Sequence, residues 1–265
     1  AVIAPNQSQG RRSSSFSTRS LDQNNNNSSS NNNAITFGKD KDSALHMAIR
    51  ERKNDAALEL IQLGAPVSAE NSKRVTPLIL AAQKGLLEVV KSLLALGANP
   101  LSATLTGTTA LLQASHFGHV AVVTLLLQHG AMMEMANYKN TTPLMRASQE
   151  GHRPVVQLML ARGARVNRRN NEHMSALMLA SQRGHAPTVQ LLLDHEADVD
   201  AMTTQRSTSL MLASKREHTE VVKVLVTAGC ELQMKDTRGR TARDVATRSN
   251  FKGLLKLLEP PKQVE

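Results

Sequence analysis

Histidine is the residue type that most invites a chemical reading of this chain. His119, His152, His185 and His218 recur at a constant step of 33, and one imidazole per step could form a proton relay or a ladder of metal ligands. The step works against both. Packed helical units stand roughly 8–10 Å apart, whereas metal ligands must converge to within ~2.1 Å of one ion. His116 and His119 could share one helical turn, but no carboxylate or cysteine at ligand spacing joins them. In Asp194-His195-Glu196 acids flank an imidazole, yet adjacent side chains point in different directions. No phosphate-cradling glycine loop, nucleophile elbow or pair of catalytic carboxylates is found. The expectation is a chain with no catalytic residues, no cofactor and no metal, in which the recurrent histidines serve turns.

Composition narrows the alternatives. Hydrophobic residues make up 40% of the 265, but four Phe, one Tyr and no Trp are all the aromatics available. Such a core must rely on Leu, Val, Met and Ala, which suits thin helical layers. Lysine and arginine outnumber aspartate and glutamate by 32 to 22, a formal charge of +10, so nucleic acid, an anionic membrane or an acidic protein are the partner classes to weigh. Cys230 is the single cysteine, which excludes an internal disulfide framework and fits an intracellular compartment, cytoplasmic or nuclear. No run reaches the roughly 18–20 apolar residues of a membrane helix; Val120 to Leu127 is interrupted by Thr124. The chain reads as soluble. Its start lacks both an initiator Met and a signal-peptide pattern, so the expectation is a piece of a longer protein.

The elements that would position these residues come from self-similarity. Residues 1–38 are rich in Ser and Asn with almost nothing apolar, and read as a disordered tail. Within it Arg11-Arg12-Ser13-Ser14 resembles a site for basophilic protein kinases. After Gly38 the texture changes: Thr76-Pro77-Leu78, Thr109-Ala110-Leu111, Thr142-Pro143-Leu144, Ser175-Ala176-Leu177 and Thr208-Ser209-Leu210 begin 33 residues apart, and the same step reaches back to Ser43-Ala44-Leu45-His46 and forward to Thr241-Ala242-Arg243-Asp244. A hydroxyl before Pro or Ala is a helix start. A first helix of about nine residues should then run to the turn at Gly85, Gly118, Gly151 and Gly184, and a second should end near Gly64, Gly97, Gly130 and Gly163. Asn71, Asn137, Asn170 and Asp236, five residues before the caps, read as turns of projecting hairpin fingers.

These columns resemble the ankyrin-repeat family, whose period of 33 and T-P-L-H-x-A signature match here in seven units. Only His46 keeps the histidine of that signature; Ile79, Leu112, Met145, Met178, Met211 and Asp244 stand in its column. The resemblance implies an all-α solenoid of stacked helix-turn-helix units with β-hairpin or loop fingers. Its expected limits are 39–259, with the polar seventh unit as a C-terminal cap and 260–265 as a tail or linker.

Helical periodicity then locates a binding face. Positions +2, +5 and +6 from each cap carry Leu and small residues and should pack inward, leaving +4, +7 and +8 on the concave side, where the family and its finger tips hold contacts. In the third and fourth units this selects Leu105, Gln113, His116, Phe117, Tyr138, Arg146 and Glu150, two of them aromatic; Arg146 and Glu150 are also spaced to pair on one helix. In the later units it selects Arg183, Lys215, Arg216, Arg238 and Arg240, with no acid among them, and Arg168 and Arg169 extend the basic stripe. The expected function is a monomeric, non-catalytic scaffold or adaptor with no small-molecule substrate. Its protein partner would place an apolar anchor at Phe117 and Tyr138 and an acidic stretch along the basic end. Two alternatives stay open: the targeting region of a larger enzyme such as a kinase or ubiquitin ligase, and an anionic membrane or nucleic acid held by the basic end.

Three departures stand out. Glu196 and Glu217 occupy columns where glycine is usual, making the junction of the fifth and sixth units the expected weak point. Cys230 occupies an alanine column and reads as a packed thiol.

Overall fold

The computed structural model describes residues 36–37, 42–249 and 251–259. Apart from Thr36 and Phe37, the expected tail lies outside the described residues, as do the Arg11-Arg12-Ser13-Ser14 motif and 260–265. Those two residues form strand β1 (Thr36–Phe37), which pairs antiparallel with β2 (Asp42–Ser43). Among the described residues fourteen helices follow in seven pairs: α1 (Ala44–Arg50) and α2 (Asn54–Gln62), α3 (Pro77–Lys84) and α4 (Leu87–Ala95), α5 (Ala110–His116) and α6 (Val120–Gln128), α7 (Pro143–Gln149) and α8 (Arg153–Ala161). The later pairs are α9 (Ala176–Arg183) and α10 (Ala186–Leu193), α11 (Ser209–Ser214) and α12 (Thr219–Thr227), and α13 (Ala242–Arg248) and α14 (Lys252–Leu255).

Each first helix starts because a hydroxyl caps it. The side chains of Ser43, Thr76, Thr109, Thr142, Ser175, Thr208 and Thr241 accept the amide three residues on at 3.2–3.4 Å, which satisfies one of the helix's orphan donors. These helices are six to eight residues long, shorter than the nine expected. The last turn tightens into a left-handed reversal instead: Gly184 donates to the Ser181 carbonyl and His185 to that of Ala180, the pattern that closes a helix on an αL glycine.

The odd-numbered helices form one layer and the even-numbered ones another. Ala81, Ala82, Ala114, Ala147, Ala180 and Ala213 are fully buried between odd helices and let them approach closely. Val and Leu pairs such as Val122-Val123 and Val155-Val156 fill the even layer. Odd helices therefore sit tighter than even ones. One leucine per unit, from Leu45 to Leu210, is buried at the +2 position; each contributes roughly 1.5–3 kcal/mol. Arg243 is exposed in that column of the seventh unit.

Candidate interaction surface

The fingers are built by one side chain each. The Oδ1 atoms of Asn71, Asn137, Asn170 and Asp236 accept the amides two and four residues on at 2.8–3.0 Å. Thr104 and Thr203 do the same through a hydroxyl. This folds each loop into a tight turn, and among the described residues only Ala103 and Thr109 add a β-bridge. The tips are then tied one to the next by backbone bonds: Leu105 donates to Lys73, Tyr138 to Thr106, Asn171 to Lys139, Thr204 to Glu172 and Thr237 to Gln205, at 3.1–3.3 Å. Fingers and odd helices thus form one continuous face.

The recurrent histidines hold that face in register. Nε2 of His119, His152, His185 and His218 donates to the carbonyls of Gln83, His116, Gln149 and Gln182 in the preceding unit at 2.8–3.1 Å. Each ring also lies over the turn glycine of that unit: a Cβ on Gly85, Gly118, Gly151 or Gly184 would come within 2.5–2.7 Å of it. These glycines are needed twice, for positive φ and for the histidine above them. His46 bridges differently, bonding Ser43 through Nδ1 and the Val75 carbonyl through Nε2.

Four of the candidate contact residues, Gln113, His116, Phe117 and Arg146, line one open cavity of about 270 Å³ between the second, third and fourth units. Phe117 is 42% exposed; it meets the His116 ring edge-on at 4.6 Å and stacks on His119 at 6.3 Å. Tyr138 and Leu105 are not brought into this cavity. Both project from finger tips, 72% and 57% exposed, with the Tyr138 ring braced over Gly107. Arg146 and Glu150 do not pair with each other: Arg146 donates to Gln149 at 3.3 Å, and Glu150 faces His116 Nδ1 at 3.6 Å. Burial lowers the His116 pKa below its ordinary value, and the nearby Arg146 and Arg183 act the same way against the pull of Glu150. The imidazole is therefore a neutral part of the cavity wall at pH 7.

A larger cavity, about 630 Å³, opens between the fingers and odd helices of the last three units, and Lys215, Arg238 and Arg240 line it. Arg183 and Arg216 lie outside it, exposed at the end of α9 and just beyond α11. Two expectations are corrected here. The basic end does contain an acid: buried Asp236 takes two bonds from the Arg240 guanidinium at 2.6 and 2.9 Å. That contact, more than anything else, holds the Asp236 carboxyl down at about 2. Arg168 and Arg169 do not extend the stripe, because Arg168 is tied to Glu134 at 3.2 Å and Arg169 faces Asp198 at 3.8 Å, each in a neighbouring unit. The Asp236-Arg240 pair could have been found from its spacing of four within one finger. Leu212, Met211 and Val245, which floor the cavity, carry no sequence signal beyond being apolar.

Cys230 is buried, and burial, followed by the Asp200 carboxylate, pushes its thiol up to about 11. It is a protonated packing group. Among the described residues no helix is long and apolar enough to cross a membrane.

A family model described as ankyrin repeats matches the chain in three copies, over residues 18–104, 99–170 and 166–236. Among solved structures the chain is similar to the human ASB11 ankyrin repeat domain, with a TM-score of 0.76 and 28% identity over 83% of this chain and 99% of that one. It is also similar to the ankyrin repeat domain of Bcl-3, described as a unique member of the IkappaB protein family, with a TM-score of 0.67 and 30% identity over the same shares. Comparison with curated proteins finds no match.

Proposed function

Because the chain belongs to the ankyrin-repeat family, we propose that it works as a non-catalytic protein-interaction scaffold, with residues 39–259 as the working module in an intracellular compartment. The face made by the fingers and odd helices receives a segment of a partner protein. One observation carries this reading: Phe117 is a large apolar side chain left 42% exposed at the lip of a polar cavity, on the face that the fingers border. A single exposed aromatic flanked by hydrogen-bonding groups is the composition of an interface anchor. Tyr138 and Leu105, on adjacent finger tips, extend the apolar contact.

The basic residues at the other end act on a different term. Arg183, Lys215 and Arg216 are exposed, and among the described residues none of them is within ion-pair distance of a carboxylate. Exposed charges of this kind steer association more than they hold the complex. Proximity labelling with the intact protein, repeated with Phe117→Ala, identifies the partner and tests the anchor together. Phe117→Ala is expected to weaken binding by roughly 1–3 kcal/mol at any ionic strength. Arg216→Glu is expected to slow association and flatten its salt dependence. Unchanged labelling and affinity in Phe117→Ala would remove Phe117 from the interface.

A further inference from the structure

The cavity at the basic end has a composition of its own. Its rim carries Lys215 from just beyond α11, Arg238 from a finger tip and Arg248 from the last turn of α13. Three separate elements therefore aim cations at one opening, and among the described residues none of the three has a carboxylate within ion-pair distance. Arg240 also lines the cavity, but its charge is met by Asp236. Glu172, exposed at the edge, is the other acid present. Four cations thus face two carboxylates, and the surplus lies on the rim.

The floor is apolar. Met174, Met211 and Val245 are buried, and Leu212 is half-buried beneath the rim. Other units hold leucine at the Leu212 position almost fully covered, as at Leu80 and Leu179, each 7% exposed, so Leu212 lacks cover that its equivalents have. A free phosphate would use the cations and leave this floor open to water. An apolar side chain alone would use the floor and leave three cations without counter-charge.

We infer that this cavity is a second anchor site, which takes one apolar side chain of a partner protein segment onto Leu212 and Met211 while flanking Asp or Glu residues of that segment meet Lys215, Arg238 and Arg248. The inference rests on the interaction-scaffold reading and specifies the partner's chemistry at its acidic part. The volume of about 630 Å³ accommodates such a side chain with its neighbours. An extended segment rises ~3.3 Å per residue and turns alternate side chains the same way, so acids two residues to either side of the apolar one face the same surface and reach the rim.

The test is selection of a phage-displayed library of random twelve-residue peptides on the full 265-residue chain. Three further selections use Leu63→Ala, Leu212→Ala, and the double variant Lys215→Glu with Arg248→Glu. The native chain is expected to enrich peptides with a Leu, Ile, Met or Phe between acidic residues. Their affinity should fall about tenfold or more, a change of ~1.4 kcal/mol, in the charge-reversed double variant. The apolar preference should weaken in Leu212→Ala, and Leu63→Ala, an exposed leucine of the first unit outside both cavities, should leave these peptides bound. Peptides that are enriched but indifferent to Lys215, Arg248 and Leu212 overturn the inference and leave the scaffold reading standing. A native chain that enriches no peptide, yet retains phosphatidylserine vesicles or a single-stranded oligonucleotide, overturns both in favour of a non-protein anion.

Discussion

Asp236 does two tasks with one carboxylate. Oδ1 accepts the amides of Arg238 and Arg240 and shapes the finger, while Oδ2 takes the Arg240 guanidinium. Asparagine at the same column performs the first task in three other fingers, so Asp236→Asn isolates the second. The variant is expected to lose roughly 1–2 kcal/mol of unfolding free energy at pH 7, the range of a partly exposed charged hydrogen bond. The pH dependence has a definite sign. With the folded carboxyl at about 2 against an ordinary 3.8, its contribution is complete above about pH 4 and fades as the pH falls towards 2. Urea titrations across that range should show the native and variant curves converging; a constant offset down to pH 2 would assign the loss to something other than ionisation. Single residues were legible in the sequence where their role is local, as with the hydroxyl caps. Arg168 and Arg169 were not, because their acids Glu134 and Asp198 sit in other units and reach them only through stacking.

At the scale of elements, the two glutamates in glycine columns are held in the left-handed region, Glu196 at φ 63° and Glu217 at φ 58°. An L side chain there costs roughly 1–2 kcal/mol. Glu196→Gly and Glu217→Gly are each expected to stabilise the array by about 1 kcal/mol, raising the melting temperature by roughly 2–4 °C. Amides of α10 and α11 should exchange faster than those of α7 and α8 in the native chain. Unchanged melting in both variants would leave the junction of the fifth and sixth units no weaker than its neighbours. The helices themselves were legible from cap, period and glycine. Their shorter length was not, because the tightening of each last turn comes from the αL reversal that follows it.

The whole molecule is stable only as a stack, since no helix pair covers its own apolar side. In the last described pair Val245, Ala246, Leu254 and Leu258 are buried, while Arg243 and Asp244 are exposed. Deleting everything after Thr241 is expected to uncover Met211 and Leu225, lower the melting temperature, and produce aggregation that grows with concentration. A truncated chain that melts as before and stays monomeric would deny α13 and α14 the part of a cap. The step of 33 made this architecture readable at once. The two cavities were not readable, because each is the space left between three units, and a column of residue types records what stands at a position but not the gap beside it.

The histidine seated over the glycine of the unit before it divides the array into interchangeable and committed parts. Joints Gly85-His119, Gly118-His152, Gly151-His185 and Gly184-His218 share one mating surface, whereas the glycine column holds Arg52 in the first unit and Glu217 in the sixth, with Leu86 and Phe251 in the matching histidine column. A 33-residue cassette copied or excised between the inner joints meets a compatible neighbour on both sides, so the gene can lengthen or shorten its middle while its ends stay fixed. Because the second to fourth units line the Phe117 cavity and the fifth to seventh line the basic cavity, a cassette inserted at the Gly151-His185 joint would change the distance between them without altering either.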